Sequence, residues 1–309
     1  MAGAHRRTRS HSASARARRT VWQRLALLVA AIAGLCVMLY PAAATWMTAN
    51  AQSGTMAAYA EQVRNQPASE TQKLLTEARA YNRSLPQGVL RDPYGASADR
   101  STGGRAYTDE YLRQLAVSGS ELMASVDIPS IRTNLPIYHG TSPATLDLGA
   151  GHLFGSSLPV GGKGTHAVVT AHSGLPQATM FSELTKVRTG DLFTITVLGE
   201  ALTYKVDQIS VVKPDDVSRL AIVPGKDYVT LVTCTPLYVN SHRLLVRGVR
   251  VPTPADAAQR VSAPAGPGMP WWIPVLVVVP SAVAVLLFAP RRRNPAKSRN
   301  EPSPFSSIQ

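Results

Sequence analysis

Cys234, His172 and Arg243 are the side chains in this sequence whose types and settings suit nucleophilic chemistry. Such chemistry needs a thiolate, a proton shuttle for a leaving amine, and a positive group where an oxyanion forms. Cys234 ends the run Tyr228 to Thr233, which is β-branched and aromatic and reads as a strand. Pro236 cannot donate to a ladder, so the strand ends near the thiol and leaves it at the mouth of a sheet. Arg243 to Val251 reads as a second strand, and the turn Pro236–His242 returns Arg243 toward Cys234. By pattern alone, a lone cysteine is more often a small buried hydrophobe, and an arginine in a strand a solvated charge.

Seven histidines compete for the proton shuttle. His5 and His11 lie in a basic N-terminal tail, leaving His139, His152, His166, His172 and His242. His172 closes the apolar run Ala167–Ala171 ahead of the turn Ser173–Pro176, a strand-end position like that of Cys234. His242, beside Arg243, is its rival. A guanidinium stays charged throughout and offers planar donors to an oxygen gaining charge, which suits Arg243 to the third role. Arg247, further along the same strand, is a weaker candidate whose plain reading is a solvated face. No carboxylate is obviously paired with His172, so a Cys-His-Arg set is expected.

Thr230-Leu231-Val232-Thr233-Cys234 followed by Arg243 resembles the TLxTC signature of sortases, the cysteine transpeptidases of Gram-positive cell surfaces. Asp127–Ile131, Leu135–Gly140, Gly151–Pro159 and Gly161–Pro176 also resemble the sortase core, so the likeness covers roughly residues 120–252. Matching the stretch around His172 to the family's histidine motif selects that residue, although Ala171 and Ser173 stand where the family commonly has Gly and Arg. The resemblance implies an LPxTG-like sorting signal as substrate, a thioacyl enzyme on Cys234, Thr233 as a substrate-binding residue, and neither cofactor nor metal. Leu90-Arg91-Asp92-Pro93-Tyr94-Gly95 is by itself a turn signal. With the family in view it resembles the lid of class C, pilus-building sortases, in which Asp92 and Tyr94 would occlude the cleft. The partners implied are pilin or other surface-protein substrates.

The elements that must hold these residues follow from the texture of the chain. From about residue 120, short β-type runs alternate with Gly/Pro/Ser turns: Ser125–Ile128, Leu135–Tyr138, Ala167–Ala171, Leu192–Leu198, Leu202–Val212, Tyr228–Thr233 and Leu244–Val251. The fold class expected is mainly β, and the resemblance implies the eight-stranded sortase-type β-barrel with short helices such as Thr179–Leu184. Ahead of it lies a helical region at 50–118 that contains the lid, with a capping box Ser69–Gln72 opening the helix Lys73–Tyr81.

Charge and hydropathy set the ends. Twelve basic residues in the first 24 and last 19 positions, set against Glu301, leave about +2 for the middle of a chain whose formal net charge is +13, so nucleic acid is dropped as a partner. Residues 25–48 are uncharged and read as a membrane anchor, with a secretory signal cleaved near Ala42–Ala44 as the rival. Residues 271–289 are uncharged, open on a Trp pair and close on Arg291–Arg293, which reads as a second transmembrane helix. The positive-inside rule places the tails 1–24 and 290–309 in the cytoplasm, and the barrel at 119–252 with its 253–270 linker outside the membrane, which the resemblance implies is the plasma membrane of a Gram-positive bacterium. Cys36 lies in the first apolar segment, so Cys234 is the sole thiol beyond it and no disulfide scaffold is available.

Overall fold

A computed structural model describes residues 9–85, 90–95, 104–255 and 266–289, with side chains described from residue 18 and, in the helix at 104–113, from residue 108. The basic tail at 290–309, most of the Pro/Ala linker (256–265) and the start of the N-terminal tail lie outside the described residues. The chain forms two compact units, one of residues up to Tyr40 and from Trp271 onward, the other Pro41–Pro270.

Helix α1 (Arg9–Asn65) runs without a break from the apolar segment into the polar stretch after it, with Pro41 inside. Its apolar part is the one described helix long and apolar enough to cross a membrane. α2 (Ala68–Ser84) and α3 (Gly104–Arg113) follow. The expected capping box does not form. The N-cap is Pro67, no side chain caps the helix, and Ser69 to Gln72 already lie within its first turns. The single carbonyl of extended Pro67 accepts from the N–H groups of both Glu70 and Thr71.

The strands are β1 (Leu122–Ile128), β2 (Thr133–His139), β3 (Ala150–His152), β4 (Thr165–Thr170), β5 (Leu192–Val197), β6 (Glu200–Val212), β7 (Asp227–Thr235) and β8 (His242–Arg250), with the short helix α4 (Pro143–Leu148) between β2 and β3. They close into a barrel in the order β1-β2-β3-β4-β7-β8-β6-β5. Only β2–β3 and β4–β7 pair in parallel. The expected helix Thr179–Leu184 is instead a series of turns ending in the 3-10 segment Leu184–Lys186. Buried Met180, Phe181 and Leu184 make that connection a lid on the barrel core, and such a spacing suits a turn as well as a helix. α5 (Trp272–Phe288) is a 17-residue apolar helix in the first unit.

Alternation along the central strands fills both faces. Ala167 and Val169 of β4, Val229 and Leu231 of β7, and Leu244 and Val246 of β8 point into the barrel core. Val168, Val232 and Leu245 point outward, where they form a second apolar cluster with Leu153, Val212 and Leu220. That two-sided burial is why these strands read as continuous apolar runs. Within the barrel, Phe193 stacks on Tyr204 with centroids 5.6 Å apart. Gly248 makes room for the pair, since a Cβ there would meet Phe193 Cε1 at 2.5 Å.

Candidate active site

Cys234 and Arg243 are direct cross-strand partners in the β7–β8 ladder. The tight turn Pro236–Ser241 brings the arginine back opposite the thiol, as its spacing implies. β4 lies parallel to β7 in a register that ends at Thr170↔Val232 and continues through the bond from Ala171 N to Val232 O, 3.2 Å. Two parallel strands leaving the barrel in step place the next outward-facing residues, His172 and Cys234, side by side at one end. Ser173, the substitution in the histidine motif, ties the two ends together by donating its hydroxyl to Cys234 O at 2.8 Å. Cys234, His172 and Arg243 therefore share the outer face of the barrel with the apolar patch Val168–Val232–Leu245.

The remaining expected residues separate cleanly. Thr233 points inward, is 1% exposed, and donates its hydroxyl to Ala171 O at 2.8 Å. His242 sits at the turn with its ring against Ser241 Oγ at 2.9 Å. Arg247 is held by Asp207 through two bonds of 3.0 and 2.8 Å, and lies over the Tyr228 ring. His139 meets Gln114 O, His166 meets Ala221 O and Thr230 Oγ1, and buried His152 meets Tyr111 and Ser157 O. Each of these three has a hydrogen-bonded place away from Cys234.

The stretch Leu90–Gly95 covers the site. Arg243 donates from Nε to Asp92 Oδ1 at 2.8 Å and from Nη2 to Oδ2 at 2.7 Å, while its Nη1 donates to Asn240 O at 3.0 Å. Tyr94 wedges between the ends of β4 and β7. Its hydroxyl donates to Ala171 O at 2.6 Å, its ring lies 5.7 Å from the His172 ring, and the Arg243 guanidinium stands 4.9 Å from its centroid. Leu90 and Tyr94 both pack on the outer apolar patch. Sequence reading missed Leu90 and the bridging role of Ser173, because each acts through contacts with residues distant in the chain, and it missed Asn240, which acts through a backbone carbonyl that no residue type signals.

Electrostatics keep the covered site neutral. Burial pushes the Cys234 thiol up, Arg243 pulls it down, and Asp92 pushes it up again. Burial lowers the His172 imidazole, with Asp147 working weakly the other way. A thiol held up and an imidazole held down favour the uncharged pair while the lid is shut. Among the described residues no group of three or more His, Cys, Asp or Glu is placed to hold a metal.

A closed barrel carrying a strand-end cysteine, histidine and arginine brings together side chains whose chemistry suits cysteine acyl transfer. The chain belongs to the sortase family: its residues 126–251 match the family model described as "Sortase domain". It is similar to the crystal structure of sortase C-1 from Actinomyces oris, at 46% identity over 59% of this chain and 99% of that one, with a TM-score of 0.56. It is also similar to a pilus-related sortase C of group B Streptococcus, at 45% identity over 63% of this chain and 95% of that one, with a TM-score of 0.56. Among curated proteins, sortase A of Streptococcus agalactiae serotype III is 32% identical over 37% of this chain; the match spans 47% of that relative, about half its length.

Proposed function

We propose that this chain is a membrane-anchored sortase of the pilus-polymerising kind. The observation that carries the class is the lid: Asp92 paired with Arg243 and Tyr94 laid beside His172, in a chain resembling class C structures over nearly their whole length. In the proposed reaction, the Cys234 thiolate attacks the Thr carbonyl of the Thr–Gly bond in an LPxTG-like signal. Arg243 faces the oxyanion of the tetrahedral intermediate, and His172 hands a proton to the departing glycine amine. A thioester remains. The ε-amine of a lysine on the next pilin then attacks it, His172 takes up the released proton, and Cys234 leaves as the thiolate to give an isopeptide bond. Thr233, whose hydroxyl holds Ala171 O beneath the site, would position the floor on which the signal lies.

The apolar part of α1 is the proposed anchor, and α5 a second span flanked by the basic run Arg291–Arg293. Basic residues before the first span and after the second support cytoplasmic termini and an outward-facing barrel.

The test is to incubate the purified full-length chain with a candidate pilin that carries both a sorting signal and an acceptor lysine. A ladder of covalent multimers is expected, absent with Cys234→Ala. Attachment of single surface proteins to a peptidoglycan amine, with no ladder from any pilin, would assign the chain to wall anchoring instead.

A further inference from the structure

The outer face of β4, β7 and β8 is a floor with two covers. One is the lid. The other is the connection Lys213–Lys226 between β6 and β7, which turns through the 3-10 segment Ser218–Leu220. Val217 and Leu220 from this connection pack on Val168, Val232 and Leu245, the same patch that Leu90 and Tyr94 occupy. With the lid displaced, the Val217–Leu220 wall would be the cover left on the apolar floor that leads toward Cys234.

Hydrophobic contact alone leaves such a wall free to slide, since it has no direction. A directional bond holds it in one place. His166, on the outward face of β4, is 1% exposed, and its Nδ1 meets Ala221 O at 2.9 Å, directly after the 3-10 segment. A carbonyl only accepts, so Nδ1 carries the hydrogen. Nε2 is then the acceptor for the Thr230 hydroxyl at 2.7 Å. The backbone of His166 is bracketed in turn: its N–H donates to Ser157 Oγ at 3.0 Å and its carbonyl accepts from Ser157 N at 3.0 Å. The ring also packs against Tyr228, with centroids 5.6 Å apart.

His166 lies near the start of β4 and His172 two residues past its end, six residues on and about 20 Å away at the usual rise, so His166 cannot reach the scissile bond. We propose that His166 is a positioning residue: it pins the Lys213–Lys226 wall to the barrel floor and thereby sets the affinity for the sorting signal, not the rate of bond exchange. The inference rests on the transpeptidase reading of Cys234, His172 and Arg243 for its kinetic half, and on the Ala221 contact alone for its structural half.

Four forms of the full-length chain test it: wild type, His166→Phe, His166→Asn and Thr230→Val. The Asn amide can still donate to Ala221 O, and Thr230→Val leaves the Nδ1 bond intact. With an LPxTG peptide as substrate, His166→Phe should raise KM by about tenfold with kcat within about threefold, the pattern of lost ground-state binding. His166→Asn should recover most of that affinity, and Thr230→Val should stay within about twofold of wild type. Trypsin nicking after exposed Arg219, read on the same proteins, should quicken about tenfold in His166→Phe alone, through local opening of the wall. A kcat loss at unchanged KM, or nicking and KM that do not move, overturns the proposal; so does a Thr230→Val effect as large as that of His166→Phe. If His166→Phe does not fold, unchanged KM and nicking in His166→Asn beside raised values in Thr230→Val also overturn it. If no form turns over the peptide, the transpeptidase reading fails while the Arg219 nicking still decides the role of His166.

Discussion

Arg243 and Asp92 are 151 residues apart in the chain and meet in a two-pronged contact, Nε to Oδ1 at 2.8 Å and Nη2 to Oδ2 at 2.7 Å. The side chains are only 11% and 17% exposed, which gives the pair more weight than a surface ion pair. The same guanidinium that would face the oxyanion is thereby occupied, and Tyr94 fills the space next to His172. A substrate must displace both.

Double substitution Asp92→Ala/Tyr94→Ala should accordingly speed labelling of Cys234 by a soluble thiol reagent. If the closed lid is favoured by about 1–3 kcal/mol, the acceleration is about 5- to 150-fold. The pH dependence should also move. Burial, the largest cause, and Asp92 raise the Cys234 thiol, while Arg243 and, least of the four, Tyr94 lower it; losing the burial and Asp92 and freeing Arg243 outweighs the loss of Tyr94, so the labelling midpoint shifts to lower pH. Asp92→Asn alone should give part of that shift. Equal labelling rates in a folded barrel would reduce Asp92–Tyr94 to a plain turn.

Substitutions at the three site residues separate the shuttle from its rival. Cys234→Ala should abolish thioacyl formation, and His172→Ala and Arg243→Ala should each lose about 100-fold or more in turnover. His242→Ala, which removes only a ring bonded to Ser241 at the turn, should keep most activity. Arg247→Ala should act mainly on stability, through the lost Asp207 contact. Retained turnover in His172→Ala with loss in His242→Ala would move the proton shuttle to His242.

The site was legible in the sequence because its residues sit at strand ends that local pattern marks. Pro236 stops β7 just after Cys234, and β4 ends at Thr170, two residues before His172 and the polar turn. The tight turn after Pro236 then fixes the Arg243 register. What pattern could not supply was contact at a distance. β3 is three residues long and is defined by pairing with β2 and β4, not by any run of its own. The box Ser69–Gln72 has the right residue types ahead of Lys73–Tyr81, yet the helix already starts at Ala68, because Pro67 is a suitable stop before it. Leu90 and Ser173 acquire roles only once the lid and β7 are folded against them.

Buried His152 predicts a specific acid sensitivity. Its Nε2 meets Ser157 O at 2.8 Å and must carry the hydrogen, so Nδ1 accepts from the Tyr111 hydroxyl at 2.9 Å. Burial lowers its pKa to about 4. Above the unfolded value, about 6.5, the ring is neutral in both states and costs nothing. Below it the unfolded chain binds a proton that the folded chain refuses, so stability falls as pH drops from 6.5 toward 4, by about 3 kcal/mol in all. Tyr111→Phe removes the Nδ1 partner and the acceptor for Gly140 N, and should lower stability by about 1–3 kcal/mol at neutral pH. Denaturant midpoints of the Pro41–Pro270 unit, taken at several pH values, check both; a flat profile between 6.5 and 4 would sink the assignment of His152 as a neutral buried ring.

Topology can be read through the same thiol. The proposed orientation puts Cys234 outside the cell and Cys36 within the first span, so a Cys36→Ala chain offers a single reporter. In intact protoplasts a membrane-impermeant maleimide should label that chain slowly, and the Asp92→Ala/Tyr94→Ala form about tenfold faster, with no gain on permeabilising the cells. Labelling that appears only after permeabilisation would put the barrel on the cytoplasmic side and overturn the orientation taken from Arg6–Arg24 and Arg291–Arg299. A mature N-terminus near Thr45 would show instead that the first apolar segment is a cleaved signal, leaving α5 as the sole anchor.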